Sequence, residues 1–381
     1  MKKYILKLEN SDKKIIKKFI KNAKYNFPEL KFIILKKKLN IYSDRILKKK
    51  EFNQIIDSIK IFQRLDEKII FKKIKKIKYI KNPLKILKKK NEVIQIDKNL
   101  FQFQGEFLSI FRSLDSYFKN LALKRYNAIE QENPVLWPID LFKKINYLSE
   151  FPQQVLMITS LKKNSKIYSK FSNKYKSNNQ FKDIKISRDF ENINYGLQPA
   201  VCDNCYYSIR NTKNNKNLTY TTMNKVFRNE FSFNKSLDRL MTFTVRDIMF
   251  IGDEDFVRKT RIKIISDIKK FFILSNLSFS IEIADDPFFS AKINKKLFQQ
   301  SHELKYEILV YIPYLKKKIA VGSINNHLDT FGKSLSIKNK KGFVHSGCMG
   351  IGFERLVFAL YCQLGTDLKK WPKSLKDLLN I

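Results

Sequence analysis

Apolar positions change their period along this chain, and each change marks an element. Residues 4–8 alternate with a period of two, as a short strand does, and residues 15–27 carry apolar positions at helical spacing. Residues 32–35 form a short apolar run of the kind a buried strand uses, and Pro28 and Pro83 punctuate the region. Near Gly105 the pattern shifts: Phe107, Ile110, Phe111, Leu114, Phe118 and Leu121 make one stripe of a long helix. Residues 134–141 predict an extended segment after it, and residues 162–195, rich in Lys, Ser and Asn, predict a loop or insertion. From Pro199 onward strand-like runs alternate with turn residues, and a last helix is expected from about residue 350 to 364. These shifts predict a small Lys-rich accessory domain, α/β or α+β, over residues 1–98, and a larger domain over 99–381. No internal repeat interrupts the pattern.

Composition changes the picture in two respects. At 43% hydrophobic and 13% aromatic, 381 residues can bury a sizeable core, which excludes wholesale disorder. The formal net charge of +40 suits a polyanionic partner. It is equally what a chain inflated in Lys, Asn, Ile and Phe together would carry. The runs Lys72, Lys73, Lys75, Lys76 and Lys88, Lys89, Lys90 can hold phosphates or form a solvated face. Four cysteines in so long a chain argue against a disulfide scaffold. No apolar run reaches membrane-span length, and the basic residues 1–14 precede no apolar stretch. A soluble, cytoplasmic protein is the expectation.

The densest chemical signal is Val226-Phe227-Arg228-Asn229-Glu230, a polar loop with Arg239, then Met241-Thr242-Phe243-Thr244-Val245-Arg246-Asp247. Both arms alternate, predicting two antiparallel strands with Arg228 and Glu230 on one face and Phe243 and Asp247 sharing another. A guanidinium grips phosphate with a planar fork, a carboxylate accepts from an amine, and a phenyl ring stacks on a base. An exposed hairpin with cross-strand charge pairs gives the same pattern. A second signal is Ser346-Gly347-Cys348-Met349-Gly350-Ile351-Gly352-Phe353-Glu354-Arg355-Leu356, read as a Gly-rich turn entering the last helix.

These residues carry a resemblance. Phe227-Arg228-Asn229-Glu230 with Phe243 resembles motif 2 of class II aminoacyl-tRNA synthetases, and Gly350-Ile351-Gly352-Phe353-Glu354-Arg355 resembles motif 3. The helix from Phe107 and the segment to Pro138 are similar to motif 1, which builds the dimer interface of that class. Five further blocks narrow the match: Pro199-Ala200-Val201-Cys202, Arg246-Asp247-Ile248, Ala284-Asp285-Asp286-Pro287-Phe288-Phe289, Glu303-Leu304-Lys305-Tyr306-Glu307 and Asn326-His327-Leu328-Asp329. With Ser346-Gly347-Cys348 they recur in order in the amino acid:carrier-protein ligases, truncated homologues of the zinc-dependent seryl-tRNA synthetases. The resemblance covers roughly residues 100–375.

It implies an α+β fold, a mainly antiparallel sheet flanked by helices, with residues 1–98 outside it. It implies a homodimer that uses ATP with Mg2+ to form the adenylate of a small amino acid: glycine, alanine or serine. Arg228 would hold the α-phosphate, Glu230 read the adenine amine and Arg239 reach the outer phosphates. Phe243 and Arg355 would sandwich the adenine, with Leu240 beside them and Ser323 and Asn326 on the ribose side. Ala320 stands where seryl-tRNA synthetases usually carry Glu, leaving ribose and Mg2+ contacts open. One zinc per chain would sit on Cys202, Asp247 and Cys348, Asp247 replacing the family's Glu, with a fourth position for the substrate amine. Cys202-x-x-Cys205 and His345-x-x-Cys348 offer a rival, a closed structural site. The acceptor implied is the phosphopantetheine thiol of an acidic carrier protein, and the basic residues 1–98 keep tRNA as the alternative. A non-catalytic paralogue would lose its ATP contacts, whereas Arg228, Glu230 and Arg355 are present.

Overall fold

The computed structural model describes the chain except residues 1, 8–15, 17–19, 21–22, 24–26, 28, 36–37, 50, 54, 57–67, 177–186, 214, 230–235, 287 and 289–292. At the amino-terminal end, strands Lys2–Lys7 and Lys31–Leu35 pair antiparallel on either side of Lys38–Ser43. Ile16, Ala23, Leu30, Phe32, Leu39, Ile41, Leu47 and Ile55 form its core. Most of the helix expected over 15–27 lies outside the described residues; Ile16, Ile20 and Ala23 are helical. Strand Lys31–Leu35 is not the buried run its composition suggests. It is a sheet edge, with Phe32 inward and Leu35 half exposed.

Strand Ile69–Lys73 is the edge of the large sheet, pairing with Phe279–Ile283. Leu84, Leu87 and Val93 belong to the large core. Among the described residues the amino-terminal core runs from Ile16 to Ile55, and apolar residues from Ile70 onward pack with the large core.

The large sheet has eight strands in the order Ile69–Lys73, Phe279–Ile283, Lys305–Ile312, Lys317–Leu328, His345–Gly352, Thr242–Gly252, Leu218–Phe227, Ile129–Glu130. Every neighbouring pair is antiparallel except the last. Alternation gives each central strand two unlike faces. Ile248, Phe250, Met349, Ile351, Ile324, Ile308 and Val310 point into one core with helices Gly105–Tyr126, Glu254–Leu274 and Phe353–Leu364. The other face carries Phe243, Asp247, Cys348, Gly350, Ser323 and Asn325 in register: Asp247 opposes Gly350, which opposes Ser323, and Met249 opposes Cys348, which opposes Asn325. Among the described residues no helix is long and apolar enough to cross a membrane.

Three expectations change. The run Ser346–Gly352 is a central strand, not a turn; its glycines admit neighbours, since a Cβ on Gly347 would lie 2.4 Å from the Phe250 ring. The 21-residue helix Glu254–Leu274, capped by Asp253 accepting from the Phe256 amide at 2.8 Å, stands where strand-like runs were expected. Residues 165–176 are helical within the expected loop.

Arg246, 3% exposed, ties helix Gly105–Tyr126 to the sheet: it pairs with Asp115, donates to Thr221 Oγ1 at 3.2 Å and lies 3.5 Å from Glu130. Removing one partner of a buried pair leaves the other charge desolvated and unmatched. Asp115→Ala is expected to cost about 3 kcal/mol, read as a fall in the urea unfolding midpoint; an unchanged midpoint would mean that Glu130 alone suffices.

Candidate active site

The strand Leu218–Phe227 ends one residue before Arg228, whose amide still bonds Met241 O at 2.9 Å. The Arg228 side chain turns back: Nε donates to Pro199 O at 2.8 Å and the guanidinium lies 5.4 Å from the Phe243 ring centre. Pro199 leads into helix Cys202–Ser208, so this bond also anchors the turn that delivers Cys202. From the other side, Arg355 in the first turn of helix Phe353–Leu364 sits 5.5 Å from the same ring and donates to Ala320 O at 3.3 Å. Position 320 thus supplies a backbone carbonyl where a carboxylate was looked for.

Glu230 lies outside the described residues. Arg239 is half-buried, and the Leu240 side chain is in the core. Ser323 is on the site face beside Gly350. Asn326, three residues on, takes the opposite face, opposes Gly347 and accepts from the Leu328 amide at 3.0 Å. The structure does not bring Ser323 and Asn326 together.

Cys202, Asp247 and Cys348 converge: one ligand atom from each lies within 4.8 Å of the other two, and all three are buried. No other such group of His, Cys, Asp or Glu occurs among the described residues. Two thiolates on one tetrahedral zinc stand about 3.8 Å apart, so the set fits that ion's size and its taste for sulfur. Gly350 provides the room, since a Cβ there would fall 2.2 Å from Asp247 Oδ1. The closed rival does not assemble. His345 and Cys348 are three apart on one regular strand and point to opposite faces, and Cys205 accepts from Asn133 Nδ2 at 3.6 Å.

Burial pushes the Asp247 carboxyl well above its ordinary range, opposed in part by Arg228. The two thiols share a hydrogen bond that raises Cys202 and lowers Cys348. Burial lifts Cys205 to about 12 and Asp203 to about 6. Such crowding of anionic groups is what a bound cation relieves. On the flank, burial opposes charge on Asp286, yet the Lys305 ammonium and the Gln299 amide hold its carboxyl below the usual value.

Several site residues were not legible as such. Asp203 sits 3.4 Å from the Cys202 sulfur, and His327 and Asn325 sit 3.7 and 3.4 Å from the Cys348 sulfur. Glu354 is almost wholly buried and accepts from the Thr244 amide at 2.9 and 2.8 Å and from Thr244 Oγ1 at 2.9 Å. It joins the start of the Arg355 helix to the Phe243 strand. Its place beside Arg355 in the sequence was the available signal.

Residues 181–363 match the family model described as the tRNA synthetase class II core domain (G, H, P, S and T). The fold is that of a class II tRNA synthetase core. The type-2 serine–tRNA ligase of Methanocaldococcus jannaschii is 24% identical over 316 residues, covering 80% of this chain and 61% of that one. The amino acid–[acyl-carrier-protein] ligase 1 of Bradyrhizobium diazoefficiens is 31% identical over 189 residues, 49% of this chain and 57% of that one. Among solved structures, M. kandleri SerRS in complex with A. aeolicus tRNASec superposes with a TM-score of 0.74 at 16% identity, covering 99% of this chain and 77% of that one. The likeness of fold thus extends over residues 1–98, which the sequence resemblance left out. The chain spans about 60% of the length of the type-2 serine–tRNA ligases it matches.

Within the synthetase core, Glu354 fixes Arg355 relative to Phe243. Glu354→Ala strips buried donors of their acceptor, and is expected to cost about 3 kcal/mol by chemical denaturation. An unchanged denaturation midpoint would refute that role.

Proposed function

We propose that this chain is an ATP-dependent ligase that activates glycine, alanine or serine as its adenylate and passes the aminoacyl group to tRNA. One observation carries the activation half: Cys202, Asp247 and Cys348 gather on the same sheet face as Arg228, Phe243 and Arg355. A carboxylate oxygen of the amino acid attacks the α-phosphorus, forming a new P–O bond as the bond to pyrophosphate breaks. Arg228 neutralises the charge that gathers on the phosphorane, and Arg239 takes the outer phosphates with Mg2+. Adenine lies between Phe243 and Arg355, with Glu230 reading its amine. Ser323 lines the ribose side. Cys202, Asp247 and Cys348 would hold a zinc ion, which supplies an open Lewis-acid position for the amine of the substrate.

For the acceptor, the sequence resemblance favoured a carrier protein. Two findings move the proposal to tRNA. The likeness to a seryl-tRNA synthetase crystallised with tRNASec runs over 99% of the chain. Residues 68–90 hold eleven lysines and no acidic residue, and Lys72, Lys75, Lys76, Lys78 and Lys81 are exposed. The 31% identical carrier-protein ligase supports the second reading, a thioester on a carrier protein. A homodimer fits the small sheet of Leu136–Pro138, Tyr195–Leu197 and Leu156–Ile158, one face of which sets Leu136, Leu197, Leu156, Pro138, Tyr195 and Ile158 together, with Tyr195 half exposed.

Amino-acid-dependent ATP–pyrophosphate exchange tests the first half. Arg228→Ala should lower exchange about 10²- to 10³-fold; wild-type exchange in that variant would remove the basis of the activation reading. Asp247→Ala and Cys348→Ala should lose bound zinc while Cys205→Ser retains it; the reverse pattern would sink the open site. Labelled amino acid should appear on tRNA rather than on phosphopantetheinylated carrier protein, and transfer only to the carrier would decide for the second reading. Light scattering should give the dimer mass and Tyr195→Glu a monomer; a monomeric wild type counts against the interface.

A further inference from the structure

The two thiols of the Cys/Asp/Cys cluster have opposite surroundings. Cys202 faces an acceptor, the Asp203 carboxylate oxygen at 3.4 Å. Cys348 faces two nitrogens from the neighbouring strand Lys317–Leu328, His327 Nε2 at 3.7 Å and Asn325 Nδ2 at 3.4 Å. Asn325 reaches it by register, since it opposes Cys348 directly. His327 reaches it through a bulge. The ladder runs from Asn326 opposite Gly347 to Leu328 opposite Ser346, so His327 is the extra residue, and Leu328 takes a left-handed φ of 53°. A bulge of this kind re-aims one side chain. Asn326 stabilises it by accepting from the Leu328 amide.

The imidazole is held on every side. Its ring stands edge-on to Tyr206 and to Phe331, at 5.6 and 4.9 Å between centroids. Its Nδ1 lies 3.3 Å from Ser346 Oγ and 3.4 Å from the Tyr206 hydroxyl oxygen. Tyr206 donates its own proton to Gly347 O at 3.0 Å. Ser346 carries a hydroxyl proton that can go to Nδ1, and with Ser346 donating there the ring proton stands on Nε2, aimed at the Cys348 sulfur.

A need for such donors follows from charge. Two thiolates and a carboxylate bring three negative charges to a divalent ion, leaving a net negative centre in a buried place, which is costly. N–H donors spread the charge of a thiolate and reduce the electron density it gives the metal, leaving the metal a better acceptor for a neutral amine. We propose that His327, with Asn325, is a positioning residue that donates to the Cys348 sulfur and so fixes the affinity and Lewis acidity of the metal site. Ser346 sets its tautomer, and Tyr206 and Phe331 set its ring plane. This rests on the zinc reading above.

The test uses the full chain loaded with zinc or cobalt(II). Zinc affinity is read by chelator competition, and the thiolate-to-cobalt charge-transfer band by absorption. His327→Ala should weaken zinc about 10- to 100-fold and move the band to lower energy, because an undonated thiolate is easier to oxidise. His327→Gln, which keeps an N–H in reach, should restore both to near wild type. Phe331→Leu disturbs the same packing without removing a donor and should leave the band where it was. If His327→Ala lowers only the melting temperature, or Phe331→Leu moves the band as far, His327 is a packing residue and the proposal falls. A wild-type protein with no thiolate–cobalt band would overturn the metal reading itself, and Cys348→Ala separates that failure from the loss of the donor.

Discussion

Asp247 faces Gly350 across one antiparallel ladder, and Gly350 faces Ser323 across the next. The rest of the site hangs on that register. Its side-chain period is two, so a slip of one residue would send Asp247 and Cys348 into the core and Ile248 and Met349 to the ligand face. Two features hold the register against a slip. Ile248, Met349 and Ile351 are buried under three helices, so the apolar face cannot be exchanged for the polar one without exposing the core. Gly350 leaves the space that the Asp247 carboxylate fills, and no side chain can take its place without displacing the ligand atom.

The same register sorts charge along one face. Cys202, Asp203, Asp247 and Cys348 gather at one pole, where burial raises both carboxyls. Arg228 and Arg355 stand against Phe243 at the other. Arg228 belongs to both, since its field opposes the upward shift of Asp247 and of Asp203 while its Nε holds the turn leading to Cys202. Under the proposed reading, an amino acid held by its amine at the first pole would turn its carboxylate toward an α-phosphate held at the second. In a water-poor site this positioning is a large part of catalysis, and side chains that do not move need no reorganisation during the reaction.

How far the chain's residues foretell this arrangement depends on whether a residue type has one physical meaning or several. The stripe from Phe107 to Phe118 has one, and its helix formed as expected. Cys202, Asp247 and Cys348 came together because ordered blocks placed them, not because their spacing of 45 and 101 residues carries any local signal. Glycine has several meanings. The run from Gly347 to Gly352 reads as a turn, yet these glycines permit close approach across strands inside a sheet. Helix Glu254–Leu274 was hidden because β-branched Val257, Ile264 and Ile268 also suit strands; the Asp253 cap and the spacing through Phe271 and Phe272 are what distinguish it.

Asn326 shows where a motif position and a physical role part company. Three residues from Ser323 on one strand, it cannot share a face with it, so a direct contact to the same ligand is excluded by alternation alone. Its carboxamide instead closes the bulge that leaves His327 unpaired and turned toward Cys348. The block Asn326-His327-Leu328 is then a single device: an acceptor that shapes the backbone, the residue the backbone presents, and a left-handed position that returns the strand to register with Ser346. None of the three touches the cluster by spacing in sequence. All three are needed to put an imidazole nitrogen beside a sulfur that two strands and one glycine have already placed.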